Sequence, residues 1–270
     1  MSLKKFNKNN FIIKKNVLSK KDINLLVKMI SFNLNRFKKK TLTNVNILSW
    51  KNKTFTRKIM FFRKQYPKLF SYYYDLIQTN VTLKKITSKE IILKNVAKLM
   101  KIDINSVSHS NSMIRLDGPS DDKNIYGWHQ ERSYYKMNNR SGGIFVWIAL
   151  VDMTKEIGPL EVCSGSHKSG FIKPNVKRKK NGSLQNILPA FYLNKYKKSV
   201  KSIRIKAGDA IFCNMNTFHK SGKNISGLFR MSFISRFHDS HSDDFNSYSD
   251  PGNYNYHPYN NLKLKKLGII

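Results

Sequence analysis

AGDAIFCNMNTFHKSGKNISGLFR, residues 207–230, is the stretch whose reading decides the fold. Gly208-Asp209 reads as a tight turn. Ala210–Cys213 is a short apolar run of strand character, His219 follows in a polar, Asn-rich context, and Arg230 lies in a second strand-like run, Leu228–Phe237. In that run Phe229, Met231, Phe233 and Phe237 are apolar alternating positions, which places Arg230 with Leu228, Ser232 and Ile234 on the other face. An arginine on an otherwise apolar strand face is costly unless an anion pairs with it. A guanidinium suits a carboxylate because its fork makes two parallel hydrogen bonds. That anion is either an acid of the chain or a small-molecule carboxylate, and the chain has only 16 Asp and Glu to offer.

Outward from this stretch, the chain from about residue 103 keeps the same texture. Ser106–Arg115, Gly143–Val151, Leu160–Val162 and Ser202–Lys206 are further candidate strands, punctuated by Gly118-Pro119, Gly158-Pro159 and Gly165. Many short strands with such punctuation predict a sandwich, barrel or jelly roll. The first hundred residues read mainly as helix. Ser19 is a candidate N-cap with Asp22 in the first turn, and Ile23, Leu26, Val27, Ile30, Leu34 and Phe37 recur at helical spacing. Pro67 interrupts the next helical stretch, with a helix expected over Leu69–Ile77, and Ser88 is expected to cap a helix running to Met100. Phe61, Phe62, Tyr72, Tyr73 and Tyr74 are expected to be packing aromatics, a nucleic-acid stacking platform being the alternative. The chain reads as a single domain over 1–270. It comprises a mostly helical bracing segment (1–102), a β core (103–238), in which Lys177–Lys180 with Asn181-Gly182 is expected to form an exposed loop, and an irregular tail (239–270).

Composition narrows the class. At 270 residues and 40% hydrophobic content the chain can bury a substantial core. The longest apolar run, Ile144–Val151, is eight residues, against about 20 for a membrane-spanning helix. The N-terminal MSLKKFNKNNFIIKKN lacks the continuous apolar stretch of a secretory signal. Two cysteines, Cys163 and Cys213, exclude a disulfide scaffold and a CxxC zinc pattern, and a cytoplasmic setting is expected. The net charge of +34 fits either a polyanionic partner or a Lys- and Asn-rich genome composition. Its distribution is more informative. Residues 1–100 hold 24 basic and 3 acidic residues and 171–270 hold 18 and 5, while 101–170 hold 8 of each. The neutral segment is where carboxylates are used.

That segment contains Trp128-His129-Gln130-Glu131. A histidine and a carboxylate two residues apart can reach one cation where the chain bends, and a non-haem Fe(II) site needs two histidines and one carboxylate on one face with open positions left over. HxE alone is a weak signal. His219 lies 90 residues further on, far enough to arrive on a different strand, and Arg230 follows it by 11.

Taken together, WHQE (128–131), GPLEVCSGSHKSG (158–170) and the 207–230 stretch resemble the phytanoyl-CoA dioxygenase family of Fe(II)/2-oxoglutarate oxygenases, over roughly residues 105–237. The resemblance implies a mainly β double-stranded β-helix (jelly roll, cupin-like) with a helical N-terminal layer. It implies that His129, Glu131 and His219 bind Fe(II), and that Arg230 grips the distal carboxylate of the cosubstrate 2-oxoglutarate with help from Ser221. Gln130 matches a position that touches the cosubstrate, and Trp147 one that holds an aromatic behind the site. Arg115 either lines the pocket or forms a framework salt bridge with Asp117 or Asp152. The implied reaction consumes O2, releases succinate and CO2, and hydroxylates an unactivated C–H of a small metabolite: an acyl-CoA, or an amino-acid-like, phosphonate or glycan-pathway compound. The basic flanks would suit an anionic substrate. Two departures stand out. Glu131 replaces the usual Asp, keeping charge and donor atoms but adding a methylene, and Ser164 replaces a Pro, which should loosen its turn. Two other readings remain. One is an oxygenase acting on nucleic acid, suggested by net charge and by Arg236 lying six residues after Arg230. The other is a non-catalytic jelly-roll binding module that has lost its metal. Oligomeric state is not readable from the chain.

Overall fold

The computed structural model describes residues 3–41, 44–121, 125–135, 142–179, 184–246 and 261–268. Its helices are α1 (Leu3–Asn9), α2 (Lys20–Asn35), α3 (Lys38–Thr41), α4 (Lys53–Gln65), α5 (Pro67–Gln78), α6 (Val81–Thr87), α7 (Glu90–Met100), α8 (Ala190–Tyr196) and α9 (Asn261–Lys266). Its strands are β1 (Phe11–Lys14), β2 (Val107–Asp117), β3 (Ile144–Ala149), β4 (Leu160–Cys163), β5 (Asn175–Arg178), β6 (Leu184–Ile187), β7 (Val200–Ile203), β8 (Ala210–Asn214), β9 (His219–Ser221) and β10 (Arg230–Asp239). They form an antiparallel five-stranded sheet in the order β1-β8-β3-β10-β2, a three-stranded sheet β7-β4-β9, and the hairpin β5-β6.

Alternation along the strands explains the layering. On β3, Ile144, Val146 and Ile148 join the apolar cluster that contains the buried faces of α2, α4, α5 and α7. Phe145, Trp147 and Ala149 join a second cluster with Leu160, Val162 and Ile203 of the smaller sheet. β10 divides the same way: Met231, Phe233 and Phe237 face the helices, and Ile234 the second cluster. A period of two puts successive side chains on opposite faces, so the large sheet is covered by helices on one side and by the small sheet on the other. The interior between the two sheets is where Arg230 is delivered.

The helical layer follows local signals where these are unambiguous. Ser19 and Asp22 form a reciprocal capping box at the start of α2, whose Leu26, Val27, Ile30 and Leu34 are buried. Pro67 is the first residue of α5, where its missing N–H costs nothing. Other expectations need correction. Ser88 does not cap α7: it closes α6, its Oγ bonds the Lys85 carbonyl, and Lys89 takes the N-cap position without a side-chain bond. Phe62 and Tyr73 are buried, but Phe61 and Tyr72 are 64% and 54% exposed. The stretch Phe11–Lys14, read with the helical segment, is instead the edge strand β1, paired with β8 from Phe11↔Cys213 to Lys14↔Ala210. Asn9 and Asn10 just before it tie the Ser164 turn: Ser164 Oγ donates to Asn9 Oδ1 (3.1 Å) and Gly165 N to Asn10 Oδ1 (3.0 Å), so the turn is stapled rather than loosened by its serine. Lys177 and Arg178 lie on an exposed hairpin strand instead of a loop, while Lys180, Asn181 and Gly182 fall outside the described residues. In the C-terminal segment read as irregular, Asn261–Lys266 is helical, and residues 247–260 fall outside the described residues. No described helix is long and apolar enough to cross a membrane.

Candidate metal centre and pocket

Two chain segments remote in sequence meet as an isolated antiparallel bridge between His129 and His219, each backbone N–H donating to the other's carbonyl at 3.0 Å. The bridge sets the two imidazoles side by side, 4.1 Å between centroids. Each Nδ1 lies on a carbonyl oxygen two residues earlier in the chain, His129 on Gly127 (2.7 Å) and His219 on Thr217 (2.9 Å). A carbonyl only accepts, so both Nδ1 atoms carry hydrogen, and Nε2 is the nitrogen of each ring left to face a metal. Glu131 opens a single 3-10 turn, Glu131–Ser133, that bends the chain back. Its Oε2 is 3.3 Å from Nε2 of His219 and 3.7 Å from Nε2 of His129. One ligand atom from each of the three lies within 4.8 Å of the other two, and all three residues are buried. Burial works against charge on Glu131, but Arg236 and the two imidazoles outweigh it and hold the acid well below the usual carboxylate range. Burial and the neighbouring His219 push His129 downward, towards the neutral, ligating form. Two buried imidazole nitrogens and a carboxylate oxygen facing one point are a fit for a divalent cation of the kind bound by nitrogen and oxygen donors.

A second polar cluster lies at the start of β10. Arg230 Nε and Nη2 donate to Asp117 Oδ2 (3.1 and 2.8 Å), and Nη1 donates to the carbonyls of Gly158 and Gly222, the latter at 2.9 Å. Those two glycines are required. Gly158 has φ +74°, and a Cβ there would sit 2.5 Å from the Lys223 backbone; one on Gly222 would sit 2.4 Å from the Pro159 carbonyl. Asp117 is shared: Arg115 Nη2 donates to its Oδ1 at 2.8 Å and Nε to its Oδ2 at 3.2 Å. Burial opposes the charge on Asp117, and the flanking Arg115 and Arg230 more than restore it, lowering its pKa. The anion expected opposite Arg230 is therefore present in the chain itself, and of Arg115's two expected partners it is Asp117, not Asp152, that pairs. Asp152 instead accepts from the Ala207 N–H. Of the five N–H hydrogens of Arg230, four are engaged, leaving one on Nη2.

A cavity of about 190 Å³ joins the two clusters. Its wall includes His129, Glu131, His219, Ser221, Arg230, Trp147, Arg115 and Asp117, so seven of the eight pocket candidates named from the sequence meet in one space. Gln130 does not. It is turned away from the cavity, its amide Nε2 donates to the carbonyls of Gly170 (2.7 Å) and Asn216 (2.8 Å), and its Oε1 accepts from Ile172 N (2.8 Å). Between two neighbours that line the cavity, its side chain is spent on the backbones of 170–172 and 216. The remaining wall, Met113, Tyr126, Tyr134, Tyr135, Phe145, Leu160, Ile234 and Arg236, was not assigned to the pocket from the sequence. Arg236 had a signal, since it shares the even-numbered face of β10 with Arg230; the tyrosines had none, because loop direction carries no periodicity.

Comparison with known proteins bears on this geometry. No curated protein sequence matches. Among solved structures, the chain is similar to the apo form of a non-heme monooxygenase, ThoJ (TM-score 0.61, 14% identity, covering 99% of this chain and 93% of that one). It is also similar to the epimerase SnoN in complex with Fe3+, alpha ketoglutarate and nogalamycin RO (TM-score 0.59, 14% identity, 95% and 91% covered). A third similar structure is EctD from S. alaskensis with 2-oxoglutarate and 5-hydroxyectoine (TM-score 0.56, 13% identity, 88% and 75% covered). At such identities these similarities speak to the fold. The family model described as phytanoyl-CoA dioxygenase matches residues 75–232, more than half the chain, with the two histidines, Glu131, Asp117 and Arg230 all inside it, and this chain therefore belongs to the phytanoyl-CoA dioxygenase family.

Proposed function

We propose that the protein is an Fe(II)- and 2-oxoglutarate-dependent dioxygenase that hydroxylates a C–H bond of a small metabolite, on a jelly-roll frame formed by the two antiparallel sheets. The observation that carries this reading is the convergence of His129 Nε2, His219 Nε2 and a Glu131 oxygen within 4.8 Å, with both Nδ1 atoms committed to backbone carbonyls. In this reading those three side chains hold the iron and leave further positions open. Bound iron supplies O2 activation coupled to decarboxylation of 2-oxoglutarate to succinate and CO2, with the oxidising power directed at a substrate C–H.

The chain's own residues do the orienting. Family membership supports the cosubstrate assignment, as do the alpha ketoglutarate and 2-oxoglutarate named for the SnoN and EctD structures. Arg230 offers its remaining Nη2 hydrogen and, together with Arg115, a net positive site around Asp117 for the distal carboxylate. Ser221, on the same cavity wall two residues after His219, adds a hydroxyl. Trp147 and Phe145 supply an apolar wall that limits water beside the metal. Tyr126, Tyr134 and Tyr135 line the cavity with Arg115 and Arg236, a setting suited to a small substrate with an anionic or hydrogen-bonding group. An anionic substrate also fits the basic flanks.

The test is anaerobic addition of Fe(II) and then 2-oxoglutarate, read by the visible metal-to-ligand charge-transfer band of a chelated keto acid, followed by succinate release on admitting O2. Absence of both iron binding and the band in the intact protein would end the assignment.

A further inference from the structure

Arg236 is the one cavity cation whose partner is a candidate metal ligand. It is buried on β10, six residues and so three side-chain repeats beyond Arg230 on the same face. Both its Nε and its Nη2 approach Glu131 Oε1 at 2.6 Å. Nη1 donates to Asn111 Oδ1 at 3.3 Å, and the guanidinium lies 4.5 Å from the centre of the Tyr135 ring. The fork therefore does not straddle the carboxylate. Its Nε donates to Oε1, Nη2 stands against the same oxygen while donating to Met113 Sδ (3.6 Å), and the other oxygen, Oε2, faces the imidazoles.

This one-sided arrangement matters because a carboxylate can bind a metal through one oxygen or two. Binding through both would take a position that a site of two histidines and one carboxylate otherwise leaves open. A glutamate has one more rotatable bond than an aspartate and reaches further, so its second oxygen is harder to keep away. We propose that Arg236 is a positioning residue that confines Glu131 to metal binding through Oε2 alone, and so preserves the open positions needed by the cosubstrate and O2. The proposal rests on the Fe(II)/2-oxoglutarate reading above. Asn111 and Tyr135 hold the guanidinium in the plane that this requires, the kind of outer support whose loss costs about 10–100-fold in metal affinity or activity.

The test compares intact wild-type protein with Arg236→Gln and Arg236→Lys, each loaded anaerobically with Fe(II) and titrated with 2-oxoglutarate. Iron stoichiometry, the charge-transfer band and the melting temperature are the readouts. The expected result is that iron still binds, while the band weakens and the 2-oxoglutarate needed to develop it rises by about tenfold or more, most in the glutamine variant. Lysine should fall between, because an ammonium holds Oε1 without the fork. A purely structural role would lower the melting temperature and leave the band and its 2-oxoglutarate dependence at wild-type values, and that result overturns the proposal. If the glutamine variant does not fold, a lysine variant indistinguishable from wild type in both spectral readouts overturns it equally. Wild-type protein that binds no Fe(II) sinks the functional reading and this inference with it; a normal wild-type band with unaffected variants sinks this inference alone.

Discussion

At one end of the pocket a single carboxylate, Glu131, faces two imidazoles and one guanidinium; at the other, Asp117 lies between two guanidiniums. Both ends draw an arginine from the same face of β10, Arg236 and Arg230. Glu131 and Arg236 cancel, and two imidazole nitrogens and a carboxylate oxygen converge beside them, so the first end suits a cation. Arg115 and Arg230 exceed Asp117 by one positive charge, so the second attracts an anion. A cavity of about 190 Å³ between them is thus polarised along its length, and in a buried site such a field acts with little screening. A ligand with a metal-chelating head and a carboxylate tail is oriented by it before any shape-specific contact is made.

The comparison can be broken first at its metal end. His219→Ala is expected to abolish iron binding and succinate formation, a loss of at least several hundredfold, because two remaining ligands cannot hold the ion in an open site. Iron stoichiometry after anaerobic loading checks it, and undiminished turnover would remove His219 from its role. Next, Asp117→Asn leaves two buried guanidiniums without their counter-charge. Removing one partner of a buried pair costs about 3–5 kcal/mol, so the melting temperature should drop sharply. Fe(II) plus 2-oxoglutarate should then raise it by more than in wild type, since the cosubstrate would supply the missing anion; an equal or smaller rise would show that no carboxylate binds beside Arg115 and Arg230.

Arg230→Ala tests the same end from the other side. Hydrogen bonds to charged groups are worth about 1.5–3 kcal/mol, so the 2-oxoglutarate requirement should rise by roughly 10–100-fold while iron affinity stays unchanged. An unaltered dependence on 2-oxoglutarate would take the arginine out of cosubstrate binding. The smallest effect concerns His238, two residues past Arg236. Burial, with His109 and Arg236 nearby, lowers its pKa to about 4. Because the folded value lies below the unfolded one of about 6.5, the unfolded chain takes up the proton first. Stability is whole above about pH 6.5 and is lost as pH falls through 4, by about 3 kcal/mol. Denaturant melts of wild type and His238→Asn over that range should converge at low pH, and parallel curves would show that His238 contributes nothing to the slope.

Much of the site was legible because it rests on chemistry that few residue types perform. A histidine and an acid in the neutral segment of a chain at +34, a second histidine 90 residues on and an arginine 11 residues after that, together with the family resemblance, single out His129, Glu131, His219 and Arg230 as candidates. The alternation of Leu228–Phe237 even assigns Arg230 to the inner face, as found. The same reasoning missed where local pattern and tertiary demand diverge. Ser88 looks like a helix start and is a helix end, because an N-cap serine and a serine at a C-terminus are chemically alike until the neighbouring helix is known. Phe11–Lys14 is too short to show a period, and it becomes a strand only because β8 presents an unpaired edge. Gln130 was drawn to the pocket by its position within HxE, yet its side chain is spent on the backbones of 170–172 and 216.

Sequence alone picked out the candidate ligands, the strand character of residues beyond 103 and the amphipathic faces of the N-terminal helices, since residue type and periodicity act over a few neighbours. Which acid each arginine meets was decided only in three dimensions. Asp117 and Arg230 are 113 residues apart, and Glu131 and Arg236 are 105. Buried charges must find partners wherever the closed sheets put them, and no local pattern carries that distance.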